Sequence, residues 1–278
     1  MTSRRLFLAG SAAFAAMPWM ARADVMGLVL SSNLQQGALV IGRTAPAATV
    51  KIDGAPVSVS PQGVFAFGFA YDQTKPAHIE LHHSDGSIEP HDAMPVVRQY
   101  DIQHVNGLPQ KFVTPSPDDL ARIKREGAAI TEARKRDTDG MGFAQAFDWP
   151  FPGILSGVYG SQRIDNGTAM APHLGVDIAA PEGTPIHAPA DAVVSITDDY
   201  FLDGGFTLLD HGHGVSTCYL HQSKRLVKVG DKLARGDVIG LVGQTGRATG
   251  PHSHWGLNWF QMKLDPSLST RTPAPPKT

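Results

Sequence analysis

Three features of the 278-residue chain predict a mainly β protein, with a small N-terminal β-sandwich, a linking helix and a C-terminal antiparallel β domain. Residues 24–113 alternate apolar and polar positions around Asp-Gly turns. One capped stretch of helical period follows, between residues 116 and 136. From residue 147 to 266, glycine turns separate β-branched runs that show no sustained helical period. The composition, 42% hydrophobic and 18% charged, is that of a packed globular chain. A net charge of −2 provides no basic field for nucleic acid.

The first 23 residues are not expected in the mature fold. "MTSRRLFLAGSAAFAAMPWMARA" has paired Arg4 and Arg5, an apolar run from Leu6 to about Met20, and Ala21-Arg22-Ala23 as an A-x-A cleavage site. "SRRLFL" is similar to a twin-arginine export signal. The mature protein is therefore expected outside the cytoplasm, in the periplasm or cell envelope. No other segment has the apolar length of a membrane span, so no transmembrane segment is expected in the mature chain.

In the front module, residues 24–113, "TVKIDGAPVSV" brackets Asp53-Gly54 as a hairpin, and "VFAFGFAY" brings Phe65, Phe67 and Phe69 to one face. His78, His82, His83 and His91 occupy strand and turn positions and read as solvated surface. Residues 114–146 form a linking helix and joint. Ser116 and Asp119 make a capping box, Pro117 takes the first helical position, and Leu120, Ile123 and Ile130 mark one face. "AVVSI", "FTLLD", "VSTCYL" and "DVIGLVG" are the strand runs of the rear domain. Residues 267–278, rich in proline, read as a flexible tail.

Chemistry concentrates in the rear domain. "ATGPHSHWGL" places His252 and His254 two apart, on one face if the segment is a strand. "PHLGVDIAAPEGTP" sets His173 four residues before Asp177, a spacing that returns both side chains to one face of an extended segment, and "CYLHQ" ends a strand with His221. Imidazoles and a carboxylate suit zinc, and a hydrolytic zinc site needs three protein ligands with one open position. Five such groups leave two for acid–base work or for charge stabilisation. The lone cysteine, Cys218, permits no intramolecular disulfide and reads as a buried thiol. His211 and His213 in "DHGHGV" read as a turn between strands. The helical H-E-x-x-H motif and G-x-S-x-G are absent.

His173-x-x-x-Asp177, "YLH" around His221 and "GQTGRATGPHSHW" together resemble the lysostaphin-type zinc metallopeptidases, which cleave peptide bonds in bacterial peptidoglycan. The resemblance covers about residues 147–266, and the front module resembles that of envelope members. It implies His173, Asp177 and His254 as ligands of one Zn2+ per chain, and His221 and His252 as the catalytic pair. Ser253 departs from the family's usual leucine, with altered packing expected there. Asn166, in "RIDNG", is a candidate for substrate contact or the first residue of an Asn-Gly turn. The implied protein is an exported peptidoglycan endopeptidase whose front module binds an envelope protein partner. The alternative is a zinc-retaining wall-binding protein or activator of another hydrolase. A biotinyl-type carrier, suggested by "VKVGDKLARGDVIGLVG" and the pair Met262-Lys263, is a third reading, but Leu264 breaks the M-K-M pattern.

Overall fold

A computed structural model describes residues 27–107 and 109–277. The expected export signal at residues 1–23 lies outside the described residues. Among the described residues no helix is long and apolar enough to cross a membrane.

In the front module, β1 (Val29–Leu30), β2 (Leu39–Arg43) and β5 (Val64–Gly68) form one sheet. β3 (Thr49–Ile52), β4 (Ala55–Val57), β6 (Ala77–His82) and β7 (Ile88–Ala93) form a second. Asp53 and Gly54 join β3 to β4 with φ of +50° and +79°, the left-handed pair that a two-residue hairpin requires. Val40, Phe65 and Phe67 of the first sheet share a buried core with Val50, Ile79 and Leu81 of the second. β5 is buried on both faces. Its small-residue face, Val64 and Ala66, joins the core of the rear domain. A Cβ on Gly68 would come within 2.8 Å of Leu264 there.

The four front-module histidines do lie at the surface, and each has a carboxylate partner. His78 meets Asp92 at 2.5 Å and His82 meets Glu80 at 3.0 Å, while Glu89 takes His83 at 3.2 Å and His91 at 2.8 Å. Exposed pairs of this kind contribute about 0–1 kcal/mol each.

β8 (Ile102–Val105) pairs in parallel with β10 (Gln162–Asp165), across the domain boundary expected at residue 113. β11 (Thr168–Ala169) completes that small sheet. A short helix, α1 (Gln110–Val113), precedes α2 (Pro117–Ala133), which starts where the capping box places it. The Ser116 side chain accepts from the Asp119 amide. Ile130 and Ala133 pack on Tyr200, Phe206, Leu208 and Cys218. Leu120, expected on the same face, is 53% exposed. At this end α2 is held by polar contacts instead, with Arg122 donating to the Asp199 carbonyl and Glu126 accepting from the Phe201 amide.

The rear domain is built on one eight-stranded antiparallel sheet. β18 (Lys232–Leu233), β14 (Ala192–Tyr200), β15 (Gly204–Gly212), β16 (Val215–Gln222), β20 (His252–Trp259), β12 (Val176–Ala179) and β9 (Ile154–Gly157) follow in that order, and β21 (Met262–Leu264) also pairs with β20. β13 (Pro185–His187), β19 (Val238–Leu241) and β17 (Lys224–Arg225) form a smaller sheet. Ile178, Leu209, Tyr219, Ile239, Trp255 and Leu257 fill the core between them. Ser253, the departure from the family pattern, is buried and donates to the Leu220 carbonyl, so the smaller side chain is accommodated by a hydrogen bond. Cys218 is buried, as its sequence context suggests.

The C-terminal tail corrects one expectation. Phe147 donates its amide to Ser269, Arg271 donates to Phe147, and Leu155 donates to Pro276, each at 2.9 Å. Prolines lack an N–H but keep a carbonyl acceptor, so a proline-rich strand can still accept along the edge of a sheet. The tail is docked on residues 147–155 rather than free.

Candidate active site

The central strand β20 carries the two histidines of "ATGPHSHWGL". His252 and His254 both lie on it, two apart and therefore on one face. In the ladder with β12, Asp177 stands opposite His254 and Ala179 opposite His252. His173 does not lie on an extended strand. It sits in the loop before β12, where its amide donates to Ser161 and its carbonyl accepts from Gly160. His221 closes β16 with φ of +64°, and its amide donates to the Asp203 carbonyl.

Three ligand-type atoms converge. His173 Nε2 and His254 Nδ1 are 2.9 Å apart, and they lie 3.1 and 2.9 Å from Asp177 Oδ1. Among the described residues this is the group of histidine and acidic side chains placed to hold a metal. With metal–ligand bonds near 2.1 Å, the edge of a tetrahedron is about 3.4 Å, so small outward shifts accommodate zinc. The protonation states agree. Burial pushes His254 down to about 4, against the pull of Asp177, and keeps it neutral. Burial acts to raise Asp177, but His173, His254 and Arg163 together hold its carboxyl well below the usual range. His173 Nδ1 lies 3.3 Å from the Val158 carbonyl, which favours Nδ1–H and leaves Nε2 as the ligand atom.

Two glycines shape this cradle. A Cβ on Gly175 would overlap the His254 ring, and one on Gly157 would come within 2.6 Å of Asp177 Oδ2. The close fit of backbone around Asp177 and His254, together with the donor set, suits a three-ligand zinc site.

Beside the cradle, the rings of His221 and His252 face each other with centroids 4.7 Å apart. Each is oriented through Nδ1 by a backbone carbonyl at 2.8 Å, Thr245 for His221 and Gly250 for His252. Burial, reinforced by His252, pushes His221 down to about 3.

Other residues of the site were not singled out by the sequence. Arg163 Nη2 donates to Asp177 Oδ2 at 2.5 Å, fixing the ligand carboxylate from behind. Gln103 of β8 donates to the Ser156 carbonyl and lines a cavity of about 200 Å3 with Asp165, Asp177, Arg247 and His252. The signal for Arg163 and Asp165 was present in "QRID", where the two share one face of β10. Asn166 instead occupies the turn after β10 with Gly167, at φ of +47° and +83°, and is exposed. His211 and His213 lie outside the site. His211 is buried on β15 between the Asp191 carbonyl and Thr217, and His213 stacks on Phe143.

The chain is similar to known proteins in sequence and in fold. The model of peptidase family M23 matches residues 171–266. A crystal structure of a putative peptidase M23 from Pseudomonas aeruginosa is 30% identical, with a TM-score of 0.66 over 85% of this chain and 94% of that one. The peptidoglycan DD-endopeptidase ShyA of Vibrio cholerae is 49% identical over 88 residues, 32% of this chain and 20% of its own length. The DD-carboxypeptidase/endopeptidase Mpg of Neisseria meningitidis is 39% identical over 106 residues, 38% of this chain and 24% of its own. The match thus spans about a fifth to a quarter of these curated relatives. The likeness to the Pseudomonas protein extends through nearly all of that chain, and on it the protein belongs to peptidase family M23.

Proposed function

We propose that the protein is an exported zinc metalloendopeptidase that hydrolyses peptide cross-links of bacterial peptidoglycan in the periplasm or cell envelope. The observation that carries this reading is the pairing of a three-donor cradle, His173, Asp177 and His254, with two oriented imidazoles beside it. The substrate class is supported by relatives named peptidoglycan DD-endopeptidases.

Zinc held by the cradle supplies a Lewis acid for the scissile carbonyl and lowers the pKa of its water. The chain's own residues do the rest. With Nδ1–H donated to the carbonyls of Thr245 and Gly250, the tautomer of His221 and of His252 that carries its lone pair on Nε2 is the one favoured. Either ring can take a proton from the attacking water, and a ring so protonated is an N–H donor to a developing oxyanion. Arg163 holds the Asp177 carboxylate in its orientation throughout. The front module is proposed to dock an envelope protein.

Digestion of purified sacculi with mature protein, with and without a chelator, tests the reading by mass analysis of the fragments. Chelator-sensitive release of uncross-linked peptides is expected. Retained zinc with no cleavage would favour a non-catalytic wall-binding or activator protein.

A further inference from the structure

Two cavities flank the metal cradle. The first, of about 200 Å3, includes Asp177 and His252, and the second, of about 240 Å3, includes His173, His221 and His254. Arg163 and Arg247 line both. They differ in commitment. Arg163 is spent on the ligand carboxylate of Asp177. Arg247 reaches Asp165 Oδ2 through Nη1 at 3.5 Å, the outer limit of a hydrogen bond, and its side chain is 25% exposed. A guanidinium has five donors in a planar fork matched to a carboxylate, and this contact uses one of them.

Asp165 is itself informative. It is 1% exposed, lines the first cavity, and its Oδ1 has no hydrogen-bond partner. A buried carboxylate so placed steadies Arg247 through one N–H, on a side chain that lines both cavities. The base of the side chain is anchored by the Arg247 amide, which donates to the Leu202 carbonyl at 2.8 Å. Asp203 lies in the second cavity, but burial raises its carboxyl, which makes it a weaker counter-charge to Arg247 than an ionised group.

We infer that Arg247, steadied by Asp165, is a specificity-determining residue that binds a carboxylate carried on the carbon next to the scissile amide. This rests on the proposed peptidoglycan endopeptidase function and deepens it. Arg247 borders both cavities around the cradle, so a substrate lying across them would bring the groups beside its scissile amide towards this guanidinium. Arginine suits the task better than lysine, because two parallel N–H bonds fix the orientation of a carboxylate as well as its charge.

The test uses two cross-linked muropeptide dimers that differ only in the group beside the scissile amide, a free carboxylate in one and a primary carboxamide in the other. Wild type is expected to prefer the free acid by about tenfold or more in kcat/KM, chiefly through KM, the size of one charge-assisted contact. Arg247→Gln should bring the ratio to within about twofold of one, and Arg247→Lys should give an intermediate ratio, with zinc content kept and any loss of thermal stability from the unpaired Asp165 measured alongside. Equal use of the two dimers by wild type, or an unchanged ratio in Arg247→Gln, overturns the inference. Binding of both dimers to zinc-loaded His252→Ala protein separates the two levels of the argument. If wild type cleaves neither dimer, the endopeptidase reading fails, and a free-acid binding preference that depends on Arg247 still supports the carboxylate site. Absence of that preference removes it.

Discussion

Replacing Gly157 by alanine is expected to weaken zinc binding by about 10- to 100-fold, although no ligand changes. The added Cβ would stand 2.6 Å from Asp177 Oδ2, 3.0 Å from its Cγ and 3.1 Å from its Cβ. Non-bonded heavy atoms settle near 3.5 Å, so the carboxylate must retreat by roughly 0.4–0.9 Å. Ligand positions in a working site hold to about 0.2 Å. The group cannot simply swing away, because Arg163 holds Oδ2 at 2.5 Å and His254 meets Oδ1 at 2.9 Å. Nor can the strands separate freely, since Gly157 and Asp177 are register partners between β9 and β12. The expected loss corresponds to about 1.4–2.7 kcal/mol of binding. Competition of metal-loaded protein against a chromogenic chelator at neutral pH measures it, with a thermal melt of both proteins as the folding control. A variant that folds and keeps wild-type zinc affinity would refute the claim that backbone proximity fixes the Asp177 ligand.

Three further outcomes are expected. His221→Ala and His252→Ala should retain zinc by elemental analysis yet lose about 100-fold or more in turnover, whereas His173→Ala should lose the metal; zinc loss in His252→Ala with retention in His254→Ala would reverse the assigned roles. Gly127→Ala on α2, where an added Cβ meets nothing within 4 Å, should stabilise the protein by about 0.5–1 kcal/mol, read as a higher Tm; a lower one would argue against a helix at that position. His211 is pushed by burial to about 4 in the fold, below its unfolded value near 6.5. Its contribution is therefore fully present above about pH 6.5 and lost as pH falls towards 4, up to about 3 kcal/mol, so His211→Gln should flatten the pH dependence of the melt in that window.

The residues proposed to hold the metal were legible because their signals are local. His252 and His254 share a face through the period of two, and the strand that requires it is β20. His173 lies beside Asp177 for a different reason from the extended spacing expected, since it comes from a loop whose backbone is pinned at Gly160 and Ser161. Arg247 was hidden because a loop residue belongs to no periodic pattern. The pairing of β8 with β10 was hidden for another reason: it joins segments some 60 positions apart, and neither strand's pattern names its partner. The same holds for the tail, whose proline content spoke against a packed helix or central strand but not against accepting hydrogen bonds from an edge.

The parallel pairing of β8 with β10 bears on how the chain can be cut and recombined. Gln103 and Val105 come from β8, near the end of the front module, yet they form one bank of the cavity beside Asp177 and His252. A fragment beginning at residue 141 would leave β10 without this neighbour, with backbone donors and acceptors open to water and the bank gone. Any change in its rate against a longer chain would report a rebuilt cavity wall. The same geometry makes β8 a place where sequence drift can retune what the cavity accepts while His173, Asp177 and His254 stay as they are.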